Sequence, residues 1–203
     1  MKKRFVLVCV LSLVLALSGM ALAENVIKVG AIYPLSGPMA GTGQMLKNGV
    51  LMAVDIINNK HDFDFIFADT EGLPNLGGAK IEIIFADSAG DPKTGMSEAE
   101  RLITSEGVVA LVGCYQSSVT KTASQVAERY GIPYVNGDSS SPELTARGFK
   151  WFFRTDPHDG LYARQQFEHL VELEKQWGES LRRVAIIHEN TEFGTQLAKA
   201  QEN

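Results

Sequence analysis

The chain has 203 residues, of which 45% are hydrophobic and 21% are charged, and its formal net charge is −5. This length is sufficient for one domain of ordinary size and part of another, and the composition is that of a globular protein. The negative charge disfavours a nucleic-acid partner, because binding to phosphates relies on an excess of Lys and Arg.

The amino terminus has the three parts of a secretory signal peptide. Residues 2–4 are Lys, Lys and Arg, an apolar segment of 13 residues (FVLVCVLSLVLAL) follows, and residues 21–23 have the small-x-small pattern of a cleavage site. We therefore expect residues 1–23 to be removed and the mature chain to reach the periplasm. The apolar segment is too short to span a membrane, and no later run of about 20 apolar residues replaces it, so no membrane insertion of the mature chain is expected.

Cleavage would change both the charge and the cysteine count. Three cationic residues and no anionic residues are lost, so the formal net charge of the mature chain is 16 − 24 = −8. Cys9 leaves with the signal, and Cys114 is then the single cysteine. No intramolecular disulfide is expected, and the core must hold the fold together.

In the mature chain, short apolar runs alternate with amphipathic stretches. The first helix is predicted at residues 44–58, and residues 61–80 after it form a surface excursion rich in turn residues. The second helix begins with Asp91 as N-cap and Pro92 at its first position, with Met96, Ala99, Leu102 and Ile103 as its buried stripe. The predicted strands are residues 27–33, 80–86, 108–113, 133–136 and 151–155.

This alternation predicts an α/β fold, because parallel neighbours in a sheet need crossover connections and the helices supply them. Residues 24–155 are expected to form a doubly wound, Rossmann-like lobe. From about residue 156 the pattern restarts with a long helix, a strand at residues 182–188 and a helix near Gly194. A lone strand has no neighbour to bond its backbone N–H and C=O groups, so residues 156–203 are interpreted as the start of a second, similar lobe.

The motifs of common enzymes are missing from the sequence. The G-x-S-x-G nucleophile elbow and the phosphate-binding P-loop do not occur, and Leu46 stands at the third glycine position of a dinucleotide site. The four histidines have no recognisable metal-binding spacing. Neither an enzyme activity nor a cofactor or metal site is predicted, although spacing alone does not decide whether dispersed Asp and Glu residues meet as a catalytic pair.

Segments that contain small polar residues follow the ends of three predicted strands. These segments are residues 33–38, residues 114–118 and the run NGDSSS at residues 136–141. Ligands of open parallel sheets bind beyond these carboxyl ends. Ser117 and Ser118 also stand at the start of a helix, where free backbone N–H groups attract a carboxylate. The alternative is that these serines only cap the helix.

Three segments carry a family resemblance: VGAIYPLSGPMAGTGQ, VGCYQSSVTKTASQVAERYGIPYVNGDSSSPELTARG and VAIIHENTEFGTQLAKA. From about residue 27 to its end, the chain resembles the type I periplasmic solute-binding proteins of branched-chain amino acid and amide ABC transporters. The resemblance implies a monomeric two-lobed receptor that closes around a small-molecule ligand and delivers it to an inner-membrane ABC permease. Members of this family are substantially longer than this chain.

The resemblance also implies a set of ligand-binding residues. The serine that binds the ligand carboxylate corresponds to Ser117, and the hydroxyl residue that binds the same end corresponds to Ser140. The position whose main-chain carbonyl receives the ligand ammonium corresponds to Asp138, where branched-chain amino acid binders tend to have a small apolar residue. The remaining implied positions are Thr42 in the first loop, Phe193 in the second lobe and Asp159 near the hinge crossing.

Two other functions are alternatives from different classes. A ligand-sensing domain of a signalling system would share the fold, and the export signal argues against a cytoplasmic regulator. A secreted hydrolase would use one of the clustered serines, and the missing elbow and histidine partner argue against it.

Overall fold

The computed structural model describes residues 25–178, 180 and 182–202. The signal peptide expected at residues 1–23 lies outside the described residues. Two compact units are present: a small one made of residues 25–27 and 56–81, and a large one made of residues 28–55 and 82–202. None of the helices in the described part of the chain combines the length and the hydropathy that a membrane span requires.

Helices and strands alternate along the chain, as the hydrophobic pattern predicts. The strands are β1 (Val26–Tyr33), β2 (Lys80–Asp87), β3 (Ala110–Gly113), β4 (Tyr134–Asn136) and β5 (Phe152–Arg154). The helices are α1 (Ala40–Asn58), α2 (Pro92–Arg101), α3 (Ser117–Tyr130), α4 (Glu143–Ala146), α5 (Asp159–Trp177) and α6 (Glu192–Glu202). A 3₁₀ turn at Pro74–Leu76 and a π-helical turn at Leu102–Glu106 complete the list.

The five strands form one sheet in the order β2-β1-β3-β4-β5. The pairs β1 with β3, β3 with β4 and β4 with β5 are parallel. Ile32 pairs with Gly113, Val112 with Val135, and Asn136 with Arg154, so neighbouring strands end at about the same level. The loops that follow these strands therefore emerge along one edge of the sheet, and the predicted α/β class is confirmed.

The buried core lies between the central strands and helices α2 and α3. Its apolar members include Ile32, Ala99, Leu102, Leu111, Val119, Ala123, Val126, Ala127, Tyr134 and Phe152. The predicted start of α2 is confirmed, since the Asp91 carboxylate accepts a hydrogen bond of 2.7 Å from the Thr94 N–H and Pro92 follows it. Met96 was expected in the buried stripe of this helix, but it is exposed.

The small unit contains the excursion predicted at residues 61–80. The Asn58 side chain donates to the Ile81 carbonyl and accepts from the Ile81 N–H, both at 2.8 Å. Ala68 is buried, whereas Phe63, Phe65 and Phe67 are largely exposed. The excursion is thus ordered by backbone and amide hydrogen bonds more than by an apolar core.

The strand predicted at residues 182–188 is not formed in the described chain. These residues are irregular, and Ile187 is 97% exposed. The prediction was wrong because a strand requires a neighbour for its backbone N–H and C=O groups, and no strand in the described residues lies beside this segment.

Candidate functional site

One cavity of about 450 Å³ lies among the loops that follow β3 and β4 and the residues that lead into α6. Four of the predicted site residues, which come from three separate parts of the chain, line this cavity: Ser117, Asp138, Ser140 and Phe193. The other lining residues are Met39, Gly90, Tyr115, Gln116, Ser118, Glu189 and Thr191.

Ser117 is the first residue of α3 and is only 2% exposed. Gln116 is the N-cap of this helix and makes no side-chain capping bond. The Ser117 hydroxyl oxygen accepts a long hydrogen bond of 3.4 Å from the Ser141 N–H, which links the start of α3 to the loop after β4. The first turn of α3 contains no acidic residue, so its free N–H groups and the helix dipole favour an anionic ligand group such as a carboxylate.

A buried asparagine, which the sequence did not single out, joins the loops after β3 and β4. The Asn136 amide donates to the carbonyls of Gly113 and Cys114, both at 2.9 Å, and its oxygen accepts from the Ser139 N–H at 2.9 Å. The Ser139 hydroxyl donates to the Tyr115 carbonyl at 3.0 Å. A polar residue at the end of a buried strand was the available signal, because such a side chain must find partners.

Ser140 is 5% exposed and lies between the cavity and Asp159. Its carbonyl accepts a hydrogen bond of 2.9 Å from the Asp159 N–H, at the start of α5. Burial raises the pKa of the Asp159 carboxyl, while the Ser140 hydroxyl and the Arg154 charge act in the opposite direction. Asp159 does not line the cavity, so in this structure it supports the loop that carries Ser140.

Asp138 is half-buried and lines the cavity beside Ser140. Burial and the nearby Asp156 carboxylate raise the pKa of Asp138 to about 6. Its charge also contributes, after burial, to the raised pKa of Tyr33 and of Cys114. Its surroundings thus penalise the ionised carboxylate until a cation or a donor arrives.

Glu189, Thr191 and Phe193 bring a third segment to the cavity, immediately before and within the start of α6. The Thr191 hydroxyl donates to the Glu189 carboxylate at 2.6 Å and accepts from the Gly194 N–H at 3.2 Å. Phe193 is the position implied by the family resemblance, whereas Glu189 and Thr191 were not predicted, although the polar run HENTE before a helical pattern was a usable signal.

Polar contacts fasten this segment to the serine loops. Lys121 of α3 forms ion pairs with Glu143 at 2.8 Å and with Glu192 at 3.2 Å. The Ser141 hydroxyl donates to the same Glu192 carboxylate at 3.2 Å, and Gln196 donates to Glu143 at 2.7 Å. These contacts hold the start of α6 against α3 and α4.

The loop after β1 contributes Met39 to the lining, whereas Thr42 lies outside it, half-buried in α1. The Asp87 carboxylate at the end of β2 orders this loop by accepting from the N–H groups of Leu35 at 2.8 Å and Ser36 at 3.2 Å. Burial acts to raise the pKa of Asp87, but these hydrogen bonds and others lower it overall. A ligand contact by Thr42 stays a prediction.

The surroundings of Cys114 disfavour nucleophilic chemistry at its sulfur. Cys114 is fully buried, its sulfur lies 3.0 Å from the Tyr134 hydroxyl, and burial raises its pKa to about 12, so the reactive thiolate is disfavoured. No histidine of the described residues lines the cavity, and His158 uses its Nδ1 atom to accept from the Gly160 N–H at 3.0 Å. The lining is suited to holding a ligand by hydrogen bonds.

A family model and curated relatives agree on the family to which this chain is similar. A family model described as periplasmic binding protein matches residues 26–202. A Leu/Ile/Val-binding protein homologue from Brucella melitensis is 33% identical over 199 residues, which are 95% of this chain and 45% of the relative. The chain thus spans about half the length of the curated relatives that it matches.

Solved structures show the same fold. An ABC transporter substrate-binding protein from Desulfitobacterium hafniense, in complex with Leu, has a TM-score of 0.67 and 24% identity, covering 87% of this chain and 46% of that one. A solute-binding protein of an ABC transporter from Rhodopseudomonas palustris, in complex with 3,4-dihydroxybenzoic acid, has a TM-score of 0.69 and 21% identity, covering 88% and 43%. One fold therefore serves ligands of different chemistry in these proteins.

Proposed function

The chain belongs to the periplasmic binding protein family, and from this membership we propose that it captures an amino acid or an amide-like solute without chemical change. The cavity supports this proposal most directly, because hydroxyl groups from two strand ends and an aromatic ring from a distant segment line one space. The captured solute is delivered to the inner-membrane permease of an ABC importer. The signal expected at residues 1–23 directs the protein to the periplasm.

Hydrogen bonds would supply the affinity for the polar end of the solute. Ser117, Ser118 and Ser140 donate to its carboxylate or amide oxygen, assisted by the N-terminus of α3. Each neutral hydrogen bond contributes about 1 kcal/mol net, and bonds to a charged acceptor contribute about 1.5–3 kcal/mol. The side chains farther along the cavity choose among solutes.

Binding and closure are coupled in this proposal. Ser117 and Ser140 belong to the lobe assigned to residues 24–155, whereas Phe193 belongs to the lobe that begins at about residue 156. A solute that touches both sets of residues stabilises the closed arrangement over the open one. The permease then recognises the closed, loaded protein as a monomer.

A thermal-shift screen of the full-length protein tests the proposal. Amino acids, small amides and urea-like compounds are added at about 100 times the dissociation constant, where a single-site ligand stabilises the folded state by about 2.7 kcal/mol. We expect at least one amino acid or amide to raise the Tm by several degrees. If no compound of either class raises the Tm or binds in calorimetry, the proposed function is wrong.

Ser117→Ala is the matching variant. We expect it to raise the Kd of the identified solute about 10-fold to 100-fold, because a hydrogen bond to a charged or polar end is lost. Ser97→Ala serves as control, since Ser97 is an exposed residue of α2 outside the cavity. If Ser117→Ala and Ser97→Ala bound the solute with equal affinity, Ser117 would not contribute to binding.

A further inference from the structure

The cavity lining has an unbalanced charge. It contains the two carboxylates of Asp138 and Glu189, and no Lys, Arg or His of the described residues belongs to it. A neutral amino acid is a zwitterion with one ammonium and one carboxylate. The hydroxyl groups and the N-terminus of α3 suit the carboxylate, so a single ammonium would face two protein carboxylates.

The basic side chains on the surrounding elements are engaged elsewhere. Lys121 pairs with Glu143 and Glu192. Arg154 donates to the Ser141 carbonyl at 2.7 Å and to the Thr145 hydroxyl at 3.1 Å. The guanidinium of Arg147 is similarly occupied, with bonds to two carbonyls and to one hydroxyl of α3 and α4. These cations therefore stabilise loops and helices and do not neutralise the lining.

Of the two lining carboxylates, Asp138 is the one without compensation. Glu189 is exposed and accepts a hydrogen bond from Thr191. Asp138 is half-buried, and no hydrogen bond or cation from the described residues offsets the burial and the Asp156 charge that raise its pKa. A half-buried carboxylate with no partner is unfavourable unless a bound group supplies one.

The other walls of the cavity suit an organic cation. Tyr115 and Phe193 are among the lining residues, and aromatic faces attract ammonium and guanidinium groups. A metal ion is a poorer candidate, because no three His, Cys, Asp or Glu side chains converge as a metal site among residues 25–178, 180 and 182–202.

We propose that the solute is a cationic amino acid of the lysine, ornithine or arginine type, and that Asp138 binds one of its positive groups inside the cavity. This inference rests on the proposed function, because it assumes that the same cavity holds the solute. Its carboxylate lies at the serines and the start of α3. Asp138 and Glu189 then each have a positive group of the solute available, whereas a neutral amino acid supplies only one for both.

Pairs of ligands with the same carbon skeleton, one with a charged and one with an uncharged side chain, provide the test. Calorimetry on the full-length protein at pH 7.5 compares arginine with citrulline and lysine with norleucine. We expect each cationic member to bind at least about tenfold more tightly than its neutral counterpart, as a charge-assisted contact predicts. Equal or tighter binding of citrulline and norleucine would overturn this inference and leave the proposed function intact. Binding of no amino acid or amide at all would instead overturn the proposed function.

The variant Asp138→Asn assigns the selectivity to one residue. We expect it to weaken arginine or lysine binding at least about tenfold and to change citrulline or norleucine binding less than about threefold. Asp64→Asn removes the same charge at an exposed position outside the cavity and should leave both affinities unchanged. If Asp138→Asn keeps the full preference for the cation, Asp138 is not the selecting residue. Because the comparison of ligand pairs uses the unaltered protein, it tests the ligand class even if a variant fails to fold.

Discussion

At the residue scale, three adjacent serines have three different surroundings. Ser139 bonds to backbone carbonyls of the neighbouring loop, Ser140 lines the cavity, and Ser141 bonds to Glu192 of α6. The residues are chemically identical and consecutive, so their intrinsic chemistry does not separate them, and the family resemblance alone singled out Ser140. In the folded protein, the partners of Ser139 and Ser141 come from Tyr115 and Glu192, which are remote in the chain.

Asp138 is expected to reduce the stability of the unliganded protein at neutral pH. Its folded pKa is raised to about 6 from an ordinary value of 3.8, so the folded state holds the proton more tightly than the unfolded state does. The contribution of Asp138 to stability therefore falls as pH rises from about 4 to about 6 and changes little above that. The groups that face this carboxylate are Tyr33, Cys114 and Asp156.

Asp138→Asn should thus stabilise the unliganded protein above pH 6. We expect a gain of about 1–2 kcal/mol at pH 7, reduced from the full shift because the side chain is only half-buried, and no gain near pH 4. Urea unfolding at pH 4, 5 and 7 measures the difference. A variant that is less stable at pH 7, or a difference that does not vary with pH, would contradict this account.

At the scale of elements, the close packing of α2 against α3 depends on a glycine. A Cβ atom added at Gly95 of α2 would overlap the Cγ1 atom of Val119 in α3. Val119 is fully buried, and its β-branched side chain has little freedom to move. Helix propensity favours alanine over glycine by about 1 kcal/mol, so the packing and the propensity oppose each other at this position.

Gly95→Ala is expected to destabilise the protein by about 1–3 kcal/mol, because overlap in a packed core outweighs propensity. Gly49→Ala is the matched control, because a Cβ atom added at Gly49 of α1 would meet no neighbouring residue within 4 Å. This substitution should stabilise the protein by about 0.5–1 kcal/mol. Urea unfolding of both variants gives the two signs. Stabilisation by both substitutions would show that helix propensity outweighs the overlap at Gly95, and destabilisation by Gly49→Ala would contradict the propensity argument.

Most elements were predictable from the sequence, and the exceptions have physical causes. Strands β1 to β5 and the start of α2 follow from apolar runs and from the Asp91-Pro92 pair, which are local signals. The segment 182–188 has an equally good strand pattern but no strand beside it in the described chain. Met96 has the spacing of a buried residue, yet α2 turns it toward solvent.

At the scale of the whole molecule, a polar network joins segments that are far apart in the chain. Lys121 bridges Glu143 and Glu192, and the latter begins the helix that presents Phe193 to the cavity. Each ion pair is partly exposed, so its contribution to global stability is small, about 1 kcal/mol or less. Its main effect is to hold the start of α6 in place.

Lys121→Met is therefore expected to loosen one segment without unfolding the protein. Hydrogen exchange in residues 191–196 should become roughly threefold to tenfold faster, while the free energy of unfolding falls by about 1 kcal/mol or less. Lys175→Met is the control, because Lys175 pairs only loosely with Glu172 on the exposed face of α5, at 3.5 Å. Unchanged exchange in residues 191–196 would mean that apolar packing alone positions α6.

The sequence by itself determined the α/β class, the order of strands and helices, the family and the loops that border a cavity. These properties depend on periodicity, on capping residues and on short motifs, which are local. Tertiary structure decided the surroundings of each side chain: Ser117, Asp138, Ser140 and Phe193, which the resemblance implied, line one cavity, and Glu189 belongs to the same lining. It also left Asp138 without a counter-charge in the described chain. The physical reason is that burial and electrostatic balance depend on distances between residues remote in the chain, which no local pattern contains.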